Sequence, residues 1–501
     1  MKSNAMLAID LGASNGRVVW GSWTPDGLQM REIYRFVNQP IQENGLLCWN
    51  VPALLADVVS GMRRCVKAGL LFDTVGLCSW GNTIGVLDET GKLLLTPLHY
   101  RETAPDTALE EIRKTYTDRD RFAQTLFIPM TMQPTVVLNY LLKAQPDQMA
   151  KAQTVLMVSD LFNFLLCGKA ASERTMAATS QMVDMRTSAW NRDYMKGLGL
   201  RPEWMPELVE NGTALGALSG AMCKKVGVKK PPTVIAVSGH DTASATGCVP
   251  TGTLEESLYL SCGTWSCMGC RVDDALASDT LYTLGATNDL GLYGQHHLRF
   301  NHTGLWILQE CRREWNENGN TMHYSQMMKL AAQSGPFLAV IDTEDEDFFL
   351  RGNMPQKVQA YCKKTDQWVP ETPGEIVRVV LESLAFRYRY SADALAAVSG
   401  RTYTCLHLLN GGSKNPLLCQ FTANALGMTV LAGPSEASII GNFLQQGLTT
   451  GTLANDAQAQ ELIAKSEVIT AYQPQEGMLW NRYYRQALTI VGWKQIEAVG
   501  E

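Results

Sequence analysis

Two stretches of this chain read as the same tight hairpin. AIDLGASNGRVVWGSW, Ala8 to Trp23, and SLYLSCGTWSCMG, Ser257 to Gly269, each run from an apolar strand through small residues into a second apolar strand. The turns centre on Gly12 and Gly263, 251 residues apart in a chain of 501. Gly, Ser and Thr at such turns let backbone N–H groups come close to a phosphate. One hairpin in each half predicts two related domains clamping a nucleotide. A chain of this length is in any case too long for a single core.

The charge balance narrows the partners. Net charge is −6 and no long basic run occurs, which argues against nucleic acid or an anionic membrane surface. No apolar run reaches the roughly 18 residues of a spanning helix. Asp10 and Arg17 interrupt the early apolar stretch, so no secretory signal is read and a cytoplasmic location is expected. The thirteen Cys then read as reduced core thiols. Cys267 and Cys270 form a lone C-x-x-C, but three residues apart on a strand they face opposite sides, which suits packing better than zinc.

Strands alternate with helices along both halves, predicting α/β layers. Helical spacing marks 52–68, 134–144 and 374–398, with a last helix around 480–491. Residues 86–95 read as two strands around a turn, and 233–237 and 403–409 as buried strands. From 190 to 232 the texture changes to glycines and Lys-Lys-Pro-Pro, a pattern of loops and connector. The expected domains are 1–237 and 238–501, the latter with a helical tail.

Several residues carry chemistry. Asp10 ends a strand before the Gly12 turn, where a carboxylate can hold Mg²⁺ or simply cap the turn. Arg17 either faces a phosphate or pairs with an acid. Asp241 in SGHDTASA follows a buried strand and lies among small residues. It can take the proton of an attacking hydroxyl, or N-cap a helix beginning at Thr242, or both. Gly263 and Thr264 offer an N–H and a hydroxyl to a terminal phosphate. Gly411 and Gly412, between a strand and a helix, let a nucleotide lie on the backbone. No G-x-x-x-x-G-K-[ST] loop and no Rossmann glycine motif is present. The seven His are dispersed, which disfavours a His-based metal centre.

Ten segments in order resemble the FGGY carbohydrate kinases, most closely the rhamnulokinase branch. They include DLGASNGR, CWNVPAL, SWG, YRET, SGHDTASA, YLSCGTWSCMG, NHTGLWILQE and the GGSKNPLLCQFTANALG to GPSEASIIGN block. The resemblance implies an actin-like ATPase fold, two ribonuclease-H-like domains around a central cleft holding ATP and sugar. It places ATP on Ala13, Ser14, Asn15, Gly16, Arg17, Thr264, Gln309, Gly411 and Gly412, and Mg²⁺ with the nucleotide at Asp10. It makes Asp241 the base, with His240, Thr242, Gly81 and Asn301 beside the sugar. The implied reaction moves the ATP γ-phosphoryl group to a primary hydroxyl of a ketose.

One departure touches the sugar. Where rhamnulokinases carry Val-Asp-Phe after Trp-Gly, this chain has Asn82, Thr83 and Ile84. A carboxylate acceptor is missing at Thr83, whose hydroxyl can bond one sugar hydroxyl with different geometry. L-rhamnulose is the first expectation, with L-fuculose, another ketose or a sugar acid as alternatives. An assembling ATPase would not need SWG, GHD and NHTGLW. A catalytically silent sugar sensor would not need Asp10, Asp241 and Thr264 together.

Overall fold

The computed structural model of the protein describes residues 5–250, 253 and 255–496. The chain forms two compact units. Unit 1 takes Met1–Thr251, Val272–His297 and Ala437–Ser466; unit 2 takes Gly252–Arg271, Leu298–Glu436 and Glu467–Glu501. This division differs from the consecutive domains 1–237 and 238–501, since two later stretches of chain return to unit 1.

In unit 1, β1 (Ala5–Leu11), β2 (Asn15–Thr24) and β3 (Gly27–Val37) form an antiparallel meander. β4 (Thr74–Ser79) lies parallel to β1. An edge strand, β5 (Thr213–Ala217), runs antiparallel to β6 (Thr233–Ala236), which is parallel to β4. The order is β5-β6-β4-β1-β2-β3. Every residue of β1 and β4 is buried, as expected where helices cover both faces of parallel neighbours. The Ala437–Thr450 helix packs on β1 and β4. Its Gln446 donates to the Leu7 carbonyl at 3.1 Å and accepts from the Thr74 hydroxyl at 2.6 Å.

Unit 2 repeats the wiring. β7 (Ser257–Cys262) and β8 (Ser266–Val272) form the second hairpin, beside β9 (His296–His302). β10 (Cys405–Leu409) is parallel to β7, and β11 (Thr429–Ala432) is parallel to β10. A short β12 (Thr470–Tyr472) follows, so the order within the unit is β9-β8-β7-β10-β11-β12. Each hairpin thus opens a sheet whose first strand gains two further parallel strands on its other side, the arrangement expected of ribonuclease-H-like domains.

The periodic helices form where their spacing places them, at Val51–Lys67, Pro134–Ala144, Pro373–Ser399 and Gly477–Val491. Asn50 caps the first, its Oδ1 accepting from the Ala53 N–H at 3.1 Å, with Pro52 in the opening turn. Two expectations hold only in part. Residues 86–95 do turn back on themselves, with Leu87 bridging Leu93 and the Leu94 N–H donating to the Val86 carbonyl at 2.9 Å, but the longer pairing of Ile84–Leu87 is with Thr154–Met157. The 190–232 stretch is not merely a connector, because it contains β5 and the Gly220–Val226 helix. Its glycines mark irregularities within regular structure. Gly216 has φ +150° at a bulge of β5, and Gly227 is the left-handed C-cap of the helix.

Candidate active site

Unit 1 brings the first hairpin and the Asp241 segment to the same strand ends. β1 and β2 pair so that Asp10 lies opposite Arg17. The Arg17 Nε and Nη2 donate to Asp10 Oδ2 at 3.0 and 2.8 Å. The structure thus selects the acid partner for Arg17, and it leaves Asp10 Oδ1 turned towards the Cys78 thiol at 3.9 Å. Between them, Ser14 and Asn15 are exposed and Ala13 is half-buried. The Gly12 N–H is spent within the turn on the Asn15 carbonyl at 2.9 Å. Gly16 is there for packing, since the Phe36 ring lies 2.3 Å from where a Cβ would stand.

β6 delivers the chain into the Ser238-Gly239-His240 turn, which is tied on three sides. The Ser238 N–H donates to Gln445 Oε1 at 2.6 Å and the Gly239 N–H to Glu173 Oε2 at 2.8 Å, while the Ser79 N–H donates to the Gly239 carbonyl at 2.8 Å. A Cβ on Gly239 would stand 2.4 Å from the Ser159 hydroxyl. The helix that follows is Asp241–Thr246, with no side-chain bond capping it. Asp241 is therefore its first helical residue, and the N-cap role considered for it falls away. Its carboxylate accepts from the Thr242 hydroxyl at 3.2 Å and is 32 % exposed, whereas the adjoining His240 side chain is 8 % exposed. The buried Cys78 thiol is pushed well above its usual range, by burial first and then by the carboxylates of Asp10 and Asp241. Both acids therefore lie close enough to the ends of β1 and β4 for their charge to be felt at Cys78.

The aromatic neighbourhood of Thr83 assembles three separate segments, CWNVPAL, SWG and YRET. The ring centroids of Trp49 lie 4.1 Å from those of Trp80 and of His99, and Tyr100 lies tilted against His99 at 4.6 Å. His99 accepts at Nδ1 from the Arg101 N–H, and burial lowers its pKa to about 3, so the ring is neutral. Thr83 is 2 % exposed, and its hydroxyl oxygen accepts from both indole N–H groups, at 3.2 Å from Trp49 and 2.9 Å from Trp80. Its acceptor capacity is used inside the protein, not at a sugar hydroxyl as expected. Thr83→Val should cost about 2 kcal/mol or more by stranding two buried donors, while Thr83→Ser, which keeps the acceptor and loses one buried methyl, should cost about 1 kcal/mol. Chemical denaturation of the two variants measures the difference. Gly81 adjoins this cluster, its Cβ position 3.1 Å from the Thr179 side chain.

Unit 2 holds the other expected residues. The Gly263 N–H again closes its own turn, on the Trp265 carbonyl at 2.8 Å, and the Thr264 hydroxyl donates to Gln309 Oε1 at 3.1 Å. The turn is anchored to the Trp306–Glu317 helix by the Leu305 and Trp306 N–H groups, which donate to the Gly263 and Thr264 carbonyls. Asn301 Oδ1 accepts from Cys267 Sγ at 3.2 Å and from Arg299. Gly412 lies on Cys262, whose sulfur is 2.3 Å from the Cβ position, whereas Gly411 has nothing within 4 Å there. The glycine pair thus has one packed and one open member. All thirteen Cys are free thiols, and among the described residues no three His, Cys, Asp or Glu are grouped as a metal site.

Two acids escape sequence reading. Glu173, fully buried, accepts from the Thr175 and Met176 N–H groups, the Thr175 hydroxyl and the Gly239 N–H. Asp289 is 3 % exposed, and its Oδ2 stands 3.8 Å from His240 Nδ1. Only the bare pattern Thr-Asn-Asp marks the second, and nothing marks the first.

The chain is similar to known proteins over most of its length. The N-terminal domain of the FGGY family of carbohydrate kinases matches residues 5–248 and its C-terminal domain residues 258–450. A protein named rhamnulokinase from Bacteroides thetaiotaomicron is 35% identical over 97% of this chain and 98% of its own. Another of that name, from Halalkalibacterium halodurans, is 34% identical over 94% of this chain and 98% of its own. Among solved structures, Plasmodium falciparum glycerol kinase with ADP superposes with a TM-score of 0.78 at 15% identity, covering 98% and 99% of the two chains. Ligand-bound xylulose kinase from Lactobacillus acidophilus gives 0.77 at 13% identity and 97% of each. These last two share the fold.

Proposed function

Because the chain belongs to the FGGY family of carbohydrate kinases, whose sugar kinases use ATP, we propose that it transfers the ATP γ-phosphoryl group to the primary hydroxyl of L-rhamnulose. It is a sugar phosphotransferase with the actin-like ATPase fold, and the assembling-ATPase and silent-sensor readings fall with that membership. The choice of sugar is supported by the rhamnulokinase relatives, which are 30–35% identical over most of the chain.

Asp241 carries the mechanistic reading. Its carboxylate is part-exposed on a turn held by three backbone hydrogen bonds, and it is not consumed as a cap. A base so fixed accepts the proton as the hydroxyl oxygen attacks phosphorus, and the ADP leaves from the opposite side. Such catalysis is largely positioning. His240 and Thr242 flank the acceptor sugar, with Gly81 and Asn301 as further sugar-side positions. Thr264 and Gln309 hold the terminal phosphates, and residues 13–17 with Gly411 and Gly412 serve the nucleotide.

For Mg²⁺ the donor set is one carboxylate, Asp10, with Oδ2 already taken by Arg17. That fits a cation which brings phosphate ligands and waters of its own, and Asp10 Oδ1 would hold it directly or through water. When bound it neutralises charge on the phosphate oxygens. Arg17 fixes the Asp10 rotamer and supplies positive charge beside the same turn.

A panel of free ketoses, L-rhamnulose and L-fuculose among them, and sugar acids, read by coupled ADP release, tests the substrate. L-rhamnulose should give the highest kcat/KM. Preference for another sugar would overturn that assignment and leave the kinase class standing.

A further inference from the structure

The His240 imidazole stands between two carboxylates. Its Nε2 is 3.9 Å from Asp241 Oδ1, and its Nδ1 is 3.8 Å from Asp289 Oδ2. These are ion-pair distances, longer than hydrogen bonds. His240 and Asp289 are nearly closed to solvent, with side chains 8 % and 5 % exposed, while Asp241 opens outward. Charges in such surroundings are poorly screened. Asp289 reaches this position from the Thr287–Leu290 strand, 48 residues beyond Asp241 in sequence. Its other oxygen, Oδ1, accepts from the Leu290 N–H at 3.0 Å, which fixes the direction of the carboxylate. His240 is held at its own backbone, because the turn before it is pinned through Ser238 and Gly239 and its carbonyl accepts from the Ser244 N–H at 2.9 Å.

An ionised carboxylate only accepts, so the ring nitrogen that faces it is the one carrying hydrogen. Both ring nitrogens face a carboxylate, but Asp289 is buried and poorly screened whereas Asp241 is part-exposed, so Asp289 holds the Nδ1 edge the more strongly. We propose that Asp289 is a positioning residue for phosphoryl transfer: it holds His240 with Nδ1–H turned inward and Nε2 beside the Asp241 carboxylate. This deepens the kinase reading above and rests on it for its consequence in turnover. Asp289 does not touch the reacting atoms; it acts through His240, which in turn keeps the acceptor hydroxyl and Asp241 in register.

The test compares wild type, Asp289→Asn, Asp289→Glu, His240→Gln and the Asp289→Asn/His240→Gln double variant, with L-rhamnulose as acceptor and ATP as donor. Asp289→Asn should lower kcat/KM for the sugar by about 100-fold, the scale of a 1 Å misplacement, with KM for ATP unchanged. Asp289→Glu should recover part of the loss. In the His240→Gln background, Asp289→Asn should add nothing further, as expected for two residues acting through one contact. Additive losses, or wild-type kinetics in Asp289→Asn, would overturn the proposal. A readout on the intact wild-type enzyme covers the case in which a variant does not fold. In ¹⁵N-histidine spectra, with the His240 signal identified by its loss in His240→Gln or, should that variant not fold, by site-selective labelling, Nδ1 should carry the hydrogen at neutral pH. A hydrogen-free Nδ1 would sink the idea. That spectrum is independent of turnover, so an enzyme inactive on every sugar would count against the kinase substrate and not against the Asp289–His240 contact.

Discussion

Asp241→Asn should lower turnover by about 100- to 10,000-fold, the range a positioned general base supplies, while ATP binding stays at the wild-type level. The amide has nearly the shape of the carboxylate but cannot take the proton of the attacking hydroxyl. The local backbone has little reason to move. The Asp241–Thr246 helix is not capped by a side chain, and the Asp241 carbonyl accepts from the Ser438 hydroxyl of the neighbouring helix at 3.1 Å, a bond the substitution leaves intact. Single-turnover kinetics with ATP-binding calorimetry separates the two effects. Near-normal turnover would remove Asp241 from the role of base, and lost ATP binding would make its role structural.

The second large effect lies behind the site. Gly441 of the Ala437–Thr450 helix approaches the Asp241–Thr246 helix so closely that a Cβ would stand 1.8 Å from the Ser244 carbonyl oxygen and 2.7 Å from its carbon. Both are backbone atoms and have no rotamer to change. The helices are also stitched there, since the Ser244 hydroxyl donates to the Ser438 carbonyl at 2.8 Å. Gly441→Ala must push the helices apart and carry Asp241 with them. We expect a loss of about 1–3 kcal/mol in stability from overpacking, and a fall in kcat of about 100-fold if Asp241 moves by an ångström. Gly220→Ala is the control, because nothing lies within 4 Å of its Cβ position and its φ is ordinary. Denaturant midpoints and kcat measured on both variants decide the matter; a Gly441→Ala protein with wild-type values would contradict the close approach.

Much of the architecture is legible in the order of the residues alone. The two hairpins, the four periodic helices and the strands leading to Asp241 and Gly411 depend on neighbours a few residues away, and such neighbours repeat with helical or strand period. Where partners lie far off, reading fails. Ile84–Leu87 looks like half of a local pair, yet beside a single local bridge its longer pairing is with Thr154–Met157. The glycines of 190–232 look like loop residues because a bulge and a left-handed cap use the same residue type as a connector.

The site shows the same division. Asp10, Asp241 and Thr264 announce themselves by standing at strand ends among small residues. Arg17 could not be assigned from sequence, because phosphate and carboxylate make the same demand on a guanidinium; the β1–β2 register chose Asp10. Thr83 reads as a residue facing the sugar, yet its hydroxyl joins two indoles from positions 49 and 80.

Residue type and short-range spacing carry the class of fold, the doubling of the hairpin and the choice of Asp241 as the candidate base. What holds the Asp241 segment in place emerges only from tertiary packing. Glu173 beneath Gly239, Gln445 against Ser238, Gly441 against Ser244 and Asp289 behind His240 lie 49 to 207 residues from the groups they meet. Their meaning comes from burial: a carboxylate, an amide or a missing methyl group acquires a role when packing removes water and leaves it one neighbour to satisfy.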